Sequence, residues 1–188
     1  MPWYGWLAIV VVVVLLIVII AAWWISTRNK FVRLEVSCDE SLSGIDVYLK
    51  KRYDLIPNLV ETVKGYAKHE SETLENVIKA RNAAMTATGD AKVQAENQLS
   101  GTLKTLFALS EAYPDLKADS QFINLQNQLQ SVETDLSQAR KYYNGTVKKY
   151  NTEIRLFPGS IVAGSMHLEQ RAFFEVDEAE RANVKVQF

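Results

Sequence analysis

The sequence predicts an all-α protein: a single N-terminal transmembrane helix followed by an antiparallel bundle of three to four long helices. Two observations carry this prediction. The residues from Leu7 to Ile25 form an unbroken apolar and aromatic run without a charge, and apolar residues recur at helical spacing along three later segments. Only eight Gly and four Pro punctuate 188 residues, which disfavours a strand-rich fold with many turns.

The apolar run has the length and the flanks of a retained membrane anchor. As a helix it would extend about 28 Å, close to the ~30 Å hydrocarbon core of a bilayer. A cleaved signal peptide is the alternative, but such peptides begin with basic residues and end at a small-x-small cleavage site. Here the segment from Met1 to Trp6 contains no basic residue, and the run ends at Trp23 and Trp24, which suit the membrane interface.

Flanking charge predicts the orientation of this anchor. Arg28, Lys30 and Arg33 follow the run directly, whereas no basic residue precedes it. Because Lys and Arg are in excess on the cytoplasmic side of membrane helices, the N-terminus is expected outside and the remaining chain in the cytoplasm. The single cysteine, Cys38, cannot form an intrachain disulfide, which suits a reducing compartment.

Three stripes of apolar residues at steps of three and four predict the helices of the bundle. The third stripe keeps near-heptad spacing over about five heptads, which is typical of a long helix with coiled-coil packing. The first stripe comprises Leu42, Ile45, Leu49, Ile56, Leu59, Val63 and Tyr66, and continues at Leu74 and Val77. The second comprises Leu99, Leu103, Leu106, Phe107 and Ser110. The third comprises Phe122, Leu125, Leu129, Val132, Leu136, Ala139, Tyr143, Val147, Tyr150, Ile154 and Phe157.

Helix-terminating residues separate the stripes. Residues 86–90 are expected to close the first region and cap the next, because Gly89 ends helices and Asp90 favours the N-cap. The residues before Pro114 and Pro158 are expected to end the second and third regions. The first region, about 60 residues long, must bend or fold back to match the others, and a kink near Pro57 is favoured over a break.

One turn signal lies inside the third region. Asn144-Gly145 is a common turn dipeptide. The stripe nevertheless keeps its phase from Tyr143 to Val147, which predicts a weakened but continuous helix.

Three parts follow from these boundaries: the anchor, residues 1–28; the bundle, residues 29–164; and a C-terminal tail, residues 165–188, weakly structured or packed on the bundle. The 21 basic and 22 acidic residues give a net charge of −1. A nucleic-acid surface would need a basic excess, so nucleic acid is not an expected partner. The lipid bilayer is an expected partner, which the chain contacts through the run from Leu7 to Ile25.

The sequence contains no motif that predicts catalytic, cofactor-binding or metal-binding residues. His69 lacks the second His of a zinc-protease helix, and His167 and Cys38 are isolated. Ser160 and Ser165 have glycines nearby but no nucleophile-elbow motif. The glycines at 159–164 lack the Lys-Ser/Thr ending of a phosphate loop, so they are interpreted as a helix stop.

Polar residues interrupt the first stripe at Arg52, beside Lys50 and Lys51, and again at Glu70. They are interpreted as solvated edges or satisfied ion pairs of the bundle. A second hypothesis is that they fix the register between helices or subunits, as polar seam positions do in coiled coils.

Four aromatic residues cluster near the end of the third stripe and are interpreted as core, with a ligand pocket as the alternative. They are Tyr142, Tyr143, Tyr150 and Phe157.

Several motifs together resemble the LemA family of bacterial membrane-anchored proteins. The most specific is LKKRYDLIPNLVETVKGYAKHE, from Leu49 to Glu70. The others follow in the family's order and span most of the soluble part: ENQLSGTL at 96–103, EAYPDLKA at 111–118, ARKYYNGTVKKYN at 139–151, and FPG-x-x-x-AG at 157–164.

The resemblance implies one N-terminal transmembrane helix in the bacterial inner membrane and a cytosolic bundle of long antiparallel helices, without an established activity, cofactor or site residue. Some relatives are associated with shaping internal membranes, and others occur beside membrane proteases. Three hypotheses follow. The first is a non-enzymatic scaffold that forms homo-oligomers or docks partners at the cytoplasmic face. The second is an adaptor or regulator of a membrane protease or envelope stress pathway, and the third is an enzyme, which the missing acid, base and nucleophile disfavour.

Overall fold

A computed structural model describes residues 3–174 of the chain. Within this range the chain forms helices and short connections and contains no strand, which confirms the predicted all-α class. The elements are α1 (Trp3–Tyr66), α2 (Ser71–Thr86), α3 (Asp90–Leu109), a 3₁₀ turn (Ser110–Ala112), α4 (Pro114–Lys117), α5 (Ser120–Glu153) and α6 (Gly159–Ser165).

Helix α1 is one uninterrupted helix of 64 residues. It continues through Pro57, and the chain reverses only at residues 67–70, ten residues later. The expectation that the first region folds back is therefore met at a different place, and the kink near Pro57 stays a prediction. The reversal follows Gly65, a residue that tolerates helix ends better than helix interiors.

The connection between α2 and α3 lies where the sequence predicts it, but its cap differs. Gly89 is the N-cap residue of α3, with φ at 58°, and Asp90 is the first helical residue. Glycine adopts this left-handed conformation without the steric cost that a Cβ would bring. The expected aspartate cap is therefore wrong by one position.

Helix α5 runs without a break through Asn144 and Gly145, which confirms the predicted continuous helix. It ends at Glu153, before the predicted stop at Pro158. The glycines interpreted as a helix stop belong instead to a short further helix, α6, which the sequence analysis missed. Pro114, the other predicted stop, follows the 3₁₀ turn and opens α4, where a missing N–H costs no hydrogen bond.

The chain divides into two compact units, to both of which α1 and α5 contribute. In the unit formed by residues 43–141 and Phe174, four helices pack together: the end of α1, α2, α3 and the first part of α5. Here α1 and α5 are antiparallel, because Arg52 contacts Glu133 and Tyr66 contacts Asp119. We call this the distal unit.

The other unit contains residues 3–42 and 142–173 of the described chain, and we call it the anchor unit. Its packed part joins α1 to the end of α5, to α6 and to the chain that follows. Lys30 Nζ lies 2.7 Å from Glu153 Oε2, and Cys38 lies near Tyr143, so the two helices are antiparallel here too. The division of the chain at residues 28 and 164 stays a prediction.

Most residues of the three predicted stripes are buried, as amphipathic helices require. The exceptions lie at the ends and beside the seam. Of the stripe residues, Leu42, Tyr66 and Phe157 are exposed, Phe157 with 81% of its surface accessible, and Tyr142 of the aromatic cluster is exposed as well. Half of the predicted aromatic core is therefore wrong, because α5 ends before Phe157 and Tyr142 precedes the buried Tyr143 by only one helical position, about 100° of rotation.

Candidate functional site: a buried polar cluster

Arg52 is a fully buried charged residue of the distal unit, with 1% of its surface accessible. It lies on the α1 seam and points between α3 and α5. Its Nη1 donates to Glu96 Oε2 at 3.1 Å and its Nη2 to Ser100 Oγ at 2.7 Å. Its Nε lies 2.9 Å from Glu133 Oε1, an ion-pair contact without hydrogen-bond geometry. One guanidinium thus connects three helices.

Tyr53 and Lys92 complete the cluster beside Glu96. The Tyr53 hydroxyl donates to Glu96 Oε1 and lies 3.3 Å from the carbonyl oxygen of Ala84. Lys92 Nζ donates to the Tyr53 hydroxyl at 3.0 Å and to the Ala84 carbonyl at 2.8 Å. Glu96, also 1% accessible, therefore has a partner for each carboxylate oxygen. We call the side chains of Arg52, Tyr53, Lys92, Glu96, Ser100 and Glu133 the buried polar cluster.

The cluster is balanced in charge, because Arg52 and Lys92 face Glu96 and Glu133. Its carboxylates and guanidinium are occupied by one another, and this favours a structural role over catalysis. Burial raises the pKa of the Tyr53 phenol well above its ordinary value, and the hydrogen bond to the Glu96 carboxylate raises it further. A shift of α1 against α3 would leave these buried charges without partners, which is costly in a low-dielectric interior.

The structure bears out the first of the two hypotheses for the polar interruptions of the first stripe. Lys50 and Lys51 are exposed, as solvated edges, whereas Arg52 is buried and paired. Glu70 lies half-buried at the start of α2 and accepts a hydrogen bond from the Tyr113 hydroxyl at 3.1 Å. Arg52 is thus a satisfied ion pair of the bundle, and a role of these residues in fixing the register between helices or subunits stays a prediction.

Asp119 caps the N-terminus of α5. Its Oδ1 accepts a hydrogen bond from the backbone N–H of Phe122 at 2.8 Å, and its Oδ2 accepts one from the Tyr66 hydroxyl at 2.9 Å. The hydrogen bond from the Phe122 N–H lowers the pKa of Asp119 below its ordinary value of 3.8, and the weaker effect of the Tyr66 hydroxyl acts in the same direction. The same side chain thus starts α5 and contacts the end of α1.

Replacing Asp119 with alanine should lower the denaturation midpoint at neutral pH and have little effect in acid. Because the folded-state pKa lies below 3.8, the carboxylate stabilises the protein above that pH and ceases to do so as the pH falls through the folded value. Chemical denaturation of the wild type and the variant between pH 2 and 7 measures the difference between their midpoints. Asp119→Asn is the matched control, since asparagine also caps helices. A difference between the two midpoints that does not change with pH would contradict this role.

In the anchor unit, the chain after α6 is held against both long helices. Asn151 Nδ2 donates to the Arg171 carbonyl oxygen, and Asn151 Oδ1 accepts from the Arg171 backbone N–H, both at 2.9 Å. The Arg171 guanidinium pairs with Asp39, and the Tyr143 hydroxyl donates to the Ala172 carbonyl at 3.1 Å. The described part of the predicted tail is therefore packed, whereas residues 175–188 of that prediction lie outside the described range.

The other residues that the sequence analysis considered do not come together. His69 and His167 are exposed, and Ser165 Oγ is satisfied by the Val162 carbonyl oxygen of its own helix. Cys38 is fully buried, and burial raises the pKa of its thiol. Between residues 3 and 174, no group of three or more His, Cys, Asp or Glu side chains could hold a metal ion.

The sequence pattern indicated Arg52 as a polar residue within an apolar stripe, but its partners Glu96 and Glu133 were not predicted. Glu96 carried a detectable signal, because it lies three residues before Leu99 and therefore on the apolar face of α3. Glu133 had none, since it flanks the seam beside Val132 and half-buried positions there are usually solvated. The pairing itself depends on how α1, α3 and α5 meet.

Two surface grooves accompany these contacts. In the distal unit, a groove of about 640 Å³ between α1 and α2 is lined by Pro57, by the buried Val60 and Leu74, and by the exposed Lys64 and Lys68. In the anchor unit, a groove of about 490 Å³ lies between α1 and α5 and is lined by Ser26, Asn29, Lys30, Arg33, Leu34, Ser37 and Lys149.

Within the described residues, α1 is the one helix long and apolar enough to cross a membrane, and its most apolar stretch has a mean hydropathy of 3.3. The other residues that the structure describes bury none of that stretch. The predicted anchor therefore exposes its apolar side chains.

Comparison with known proteins gives two matches. A model of the LemA family matches residues 41–188. The chain is also similar to Protein LemA of Metamycoplasma hominis, with 24% identity over 162 residues, which cover 85% of this chain and 74% of the relative. The family match begins at residue 41, so it does not depend on the apolar run.

Proposed function

This chain belongs to the LemA family, as its motifs predicted, and we propose that it is a non-enzymatic scaffold anchored in the bacterial inner membrane. In this proposal the helical part lies at the cytoplasmic face and self-associates, so that copies organise the membrane or the partners beside it.

One observation carries the proposal: the apolar run and the first packed residues belong to one helix without a linker. The side chains of residues 9–20 are exposed and apolar, whereas Phe31, six residues after the end of the run, is 1% accessible and packed. At 1.5 Å per residue, the packed part of the anchor unit begins about 9 Å from the run. A helix inserted in a bilayer would hold this unit at the membrane surface.

Exposed charge supports the cytoplasmic orientation. Arg28, Lys30 and Arg33 are all exposed at the end of the run. Lys30 also pairs with Glu153, so one of the three charges contributes to packing. The positive-inside tendency then favours a cytoplasmic position for everything after residue 28.

Self-association is supported by apolar side chains that the anchor unit does not cover. Val32 and Val36 lie one helical turn apart on α1, and 45% and 59% of their surfaces are accessible. Confinement to a membrane plane raises the effective concentration of neighbouring copies, so weak contacts between such faces can give large assemblies.

Size-exclusion chromatography of the full chain in mild detergent tests self-association against the adaptor alternative. We expect a homo-oligomer, because exposed apolar faces on anchored copies favour lateral contact. The substitution Val36→Glu should disperse the oligomer while the helical circular dichroism stays unchanged. The charge reversal Lys141→Glu, at an exposed position, should do the same. Lys104→Glu, a charge reversal at an exposed position of α3, is the control. A wild-type chain that is monomeric at high concentration would leave the adaptor hypothesis.

A further inference from the structure

The turn between α5 and α6 in the anchor unit, together with the first residues of α6, exposes three large apolar side chains. Leu156, Phe157 and Ile161 have 55%, 81% and 54% of their surfaces accessible. Single exposed apolar residues are common on proteins, but a group of three within six residues indicates a surface that contacts something apolar. No described residue of the anchor unit covers them.

The position of this turn indicates what that surface contacts. Helix α5 is antiparallel to α1, and its last residue, Glu153, pairs with Lys30, five residues after the apolar run. The turn ends at Gly159, where an added Cβ would lie 3.3 Å from Phe31 Cζ. Phe31 lies about 9 Å beyond the run along the helix axis, and each headgroup layer of a bilayer is about 5–8 Å thick. The turn therefore lies at the outer edge of the headgroup layer when α1 spans the bilayer, where its exposed side chains can reach the lipids.

The charge around the turn suits an anionic lipid surface. Residues 26–35, which follow the apolar run, and residues 148–161 around the turn contain six basic side chains against two acidic ones, Glu35 and Glu153. The basic ones are Arg28, Lys30, Arg33, Lys148, Lys149 and Arg155.

The groove of the anchor unit adds a place for a headgroup. Its lining includes Lys30, Arg33 and Lys149 and no acidic side chain. Arg33 and Lys149 have no ion-pair partner among residues 3–174, and both are exposed. The groove starts at Ser26, the first residue after the apolar run. Basic grooves beside a membrane helix bind the phosphates of anionic lipids.

We propose that the membrane-proximal end of the anchor unit is a second lipid-binding surface, which places Leu156 and Phe157 among the lipids and binds an anionic lipid headgroup with Arg33 and Lys149. This inference rests on the proposed anchoring of α1. It adds a second attachment beside the single helix, so the anchor unit would be fixed in orientation relative to the bilayer as well as tethered to it.

The depth of the turn can be measured in the full chain reconstituted in vesicles. In a Cys38→Ala background, an apolar environment-sensitive fluorophore is attached at Phe157→Cys or, as the matched control, at Tyr142→Cys. Tyr142 is 68% accessible and lies in the same unit. Because position 142 lies about 16 Å before the end of α5, a quencher carried by the lipids should act at least about twofold more strongly at 157 than at 142.

Lipid charge tests the headgroup contact. Quenching at 157 should be stronger in vesicles of phosphatidylcholine with phosphatidylglycerol than in phosphatidylcholine alone. The double variant Arg33→Gln, Lys149→Gln should lose this difference. The double variant Lys50→Gln, Lys104→Gln removes the same charge from exposed positions of the distal unit and should keep it.

Tryptophan fluorescence separates the two proposals, because all four tryptophans lie at positions 3–24. Tryptophan quenching with equal fluorophore quenching at 157 and 142 would overturn the second lipid surface and leave the anchoring intact. Tryptophan fluorescence that the lipids do not quench would overturn the anchoring as well. Deep quenching at 157 without dependence on lipid charge would overturn the headgroup contact.

Discussion

Replacing Arg52 with leucine is expected to lower the free energy of unfolding by about 3–5 kcal/mol, because it leaves a buried carboxylate without its cation. Glu96 is 1% accessible and would retain only the Tyr53 hydroxyl and Lys92 as neighbours, the latter 3.8 Å away. Glu133, half-buried at the edge of the cluster, can turn toward water and should contribute little to the loss. Chemical denaturation of the full chain in mild detergent, followed by circular dichroism, measures the change.

A double-mutant cycle separates the unpaired charge from the loss of packing. The variant Arg52→Leu, Glu96→Leu removes both charges and should be more stable than Arg52→Leu alone, since a buried pair can be replaced by apolar residues at little cost. Lys79→Ala is the surface control, because Lys79 and Glu75 form an exposed pair that contributes at most about 1 kcal/mol. A double variant as unstable as the single one would show that the guanidinium acts through its contacts with Ser100 and Glu133 instead.

Replacing Leu136 with glutamate is expected to unfold the distal unit. Leu136 is fully buried on the α5 seam. The substitution removes a buried apolar side chain, which costs about 2–5 kcal/mol when leucine is truncated, and it adds an unpaired charge with a further penalty. Together these approach the total stability of an ordinary domain, about 5–15 kcal/mol.

Loss of helical circular dichroism would show this unfolding. Lys141→Glu, five residues later on the same helix and exposed, introduces the same side chain without burial and should leave the spectrum unchanged. Leu129→Glu should behave as Leu136→Glu does, since Leu129 is 2% accessible. A folded Leu136→Glu protein with a native denaturation midpoint would contradict the assigned seam.

The helices could be predicted because helical periodicity is a local property of the sequence. Ile45, Leu49, Ile56, Leu59 and Val63 are all buried on one face of α1, as their spacing requires. The ends of the helices could not be placed as well. Phe157 continues the spacing of the third stripe, but the helix ends at Glu153 and the side chain is exposed.

The polar cluster shows a second limit. Arg52 stands out in the sequence because it interrupts an apolar stripe, but its partners lie 44 and 81 residues away in the chain. Only the packing of α1 against α3 and α5 brings Glu96 and Glu133 to one guanidinium. The contacts of Arg171 with Asp39 and Asn151 were unpredictable for the same reason, since that segment has no regular spacing.

The central claim is that α1 crosses the membrane and holds the helical part on its cytoplasmic side. A reporter enzyme that is active only outside the cytoplasm, fused after Phe188, tests this claim most directly. A second fusion of the same reporter before Met1 is the matched control. We expect the C-terminal fusion to be inactive and the N-terminal fusion to be active, with both proteins retained in the membrane fraction. An active C-terminal reporter, or a mature protein that starts near Trp23, would contradict the account.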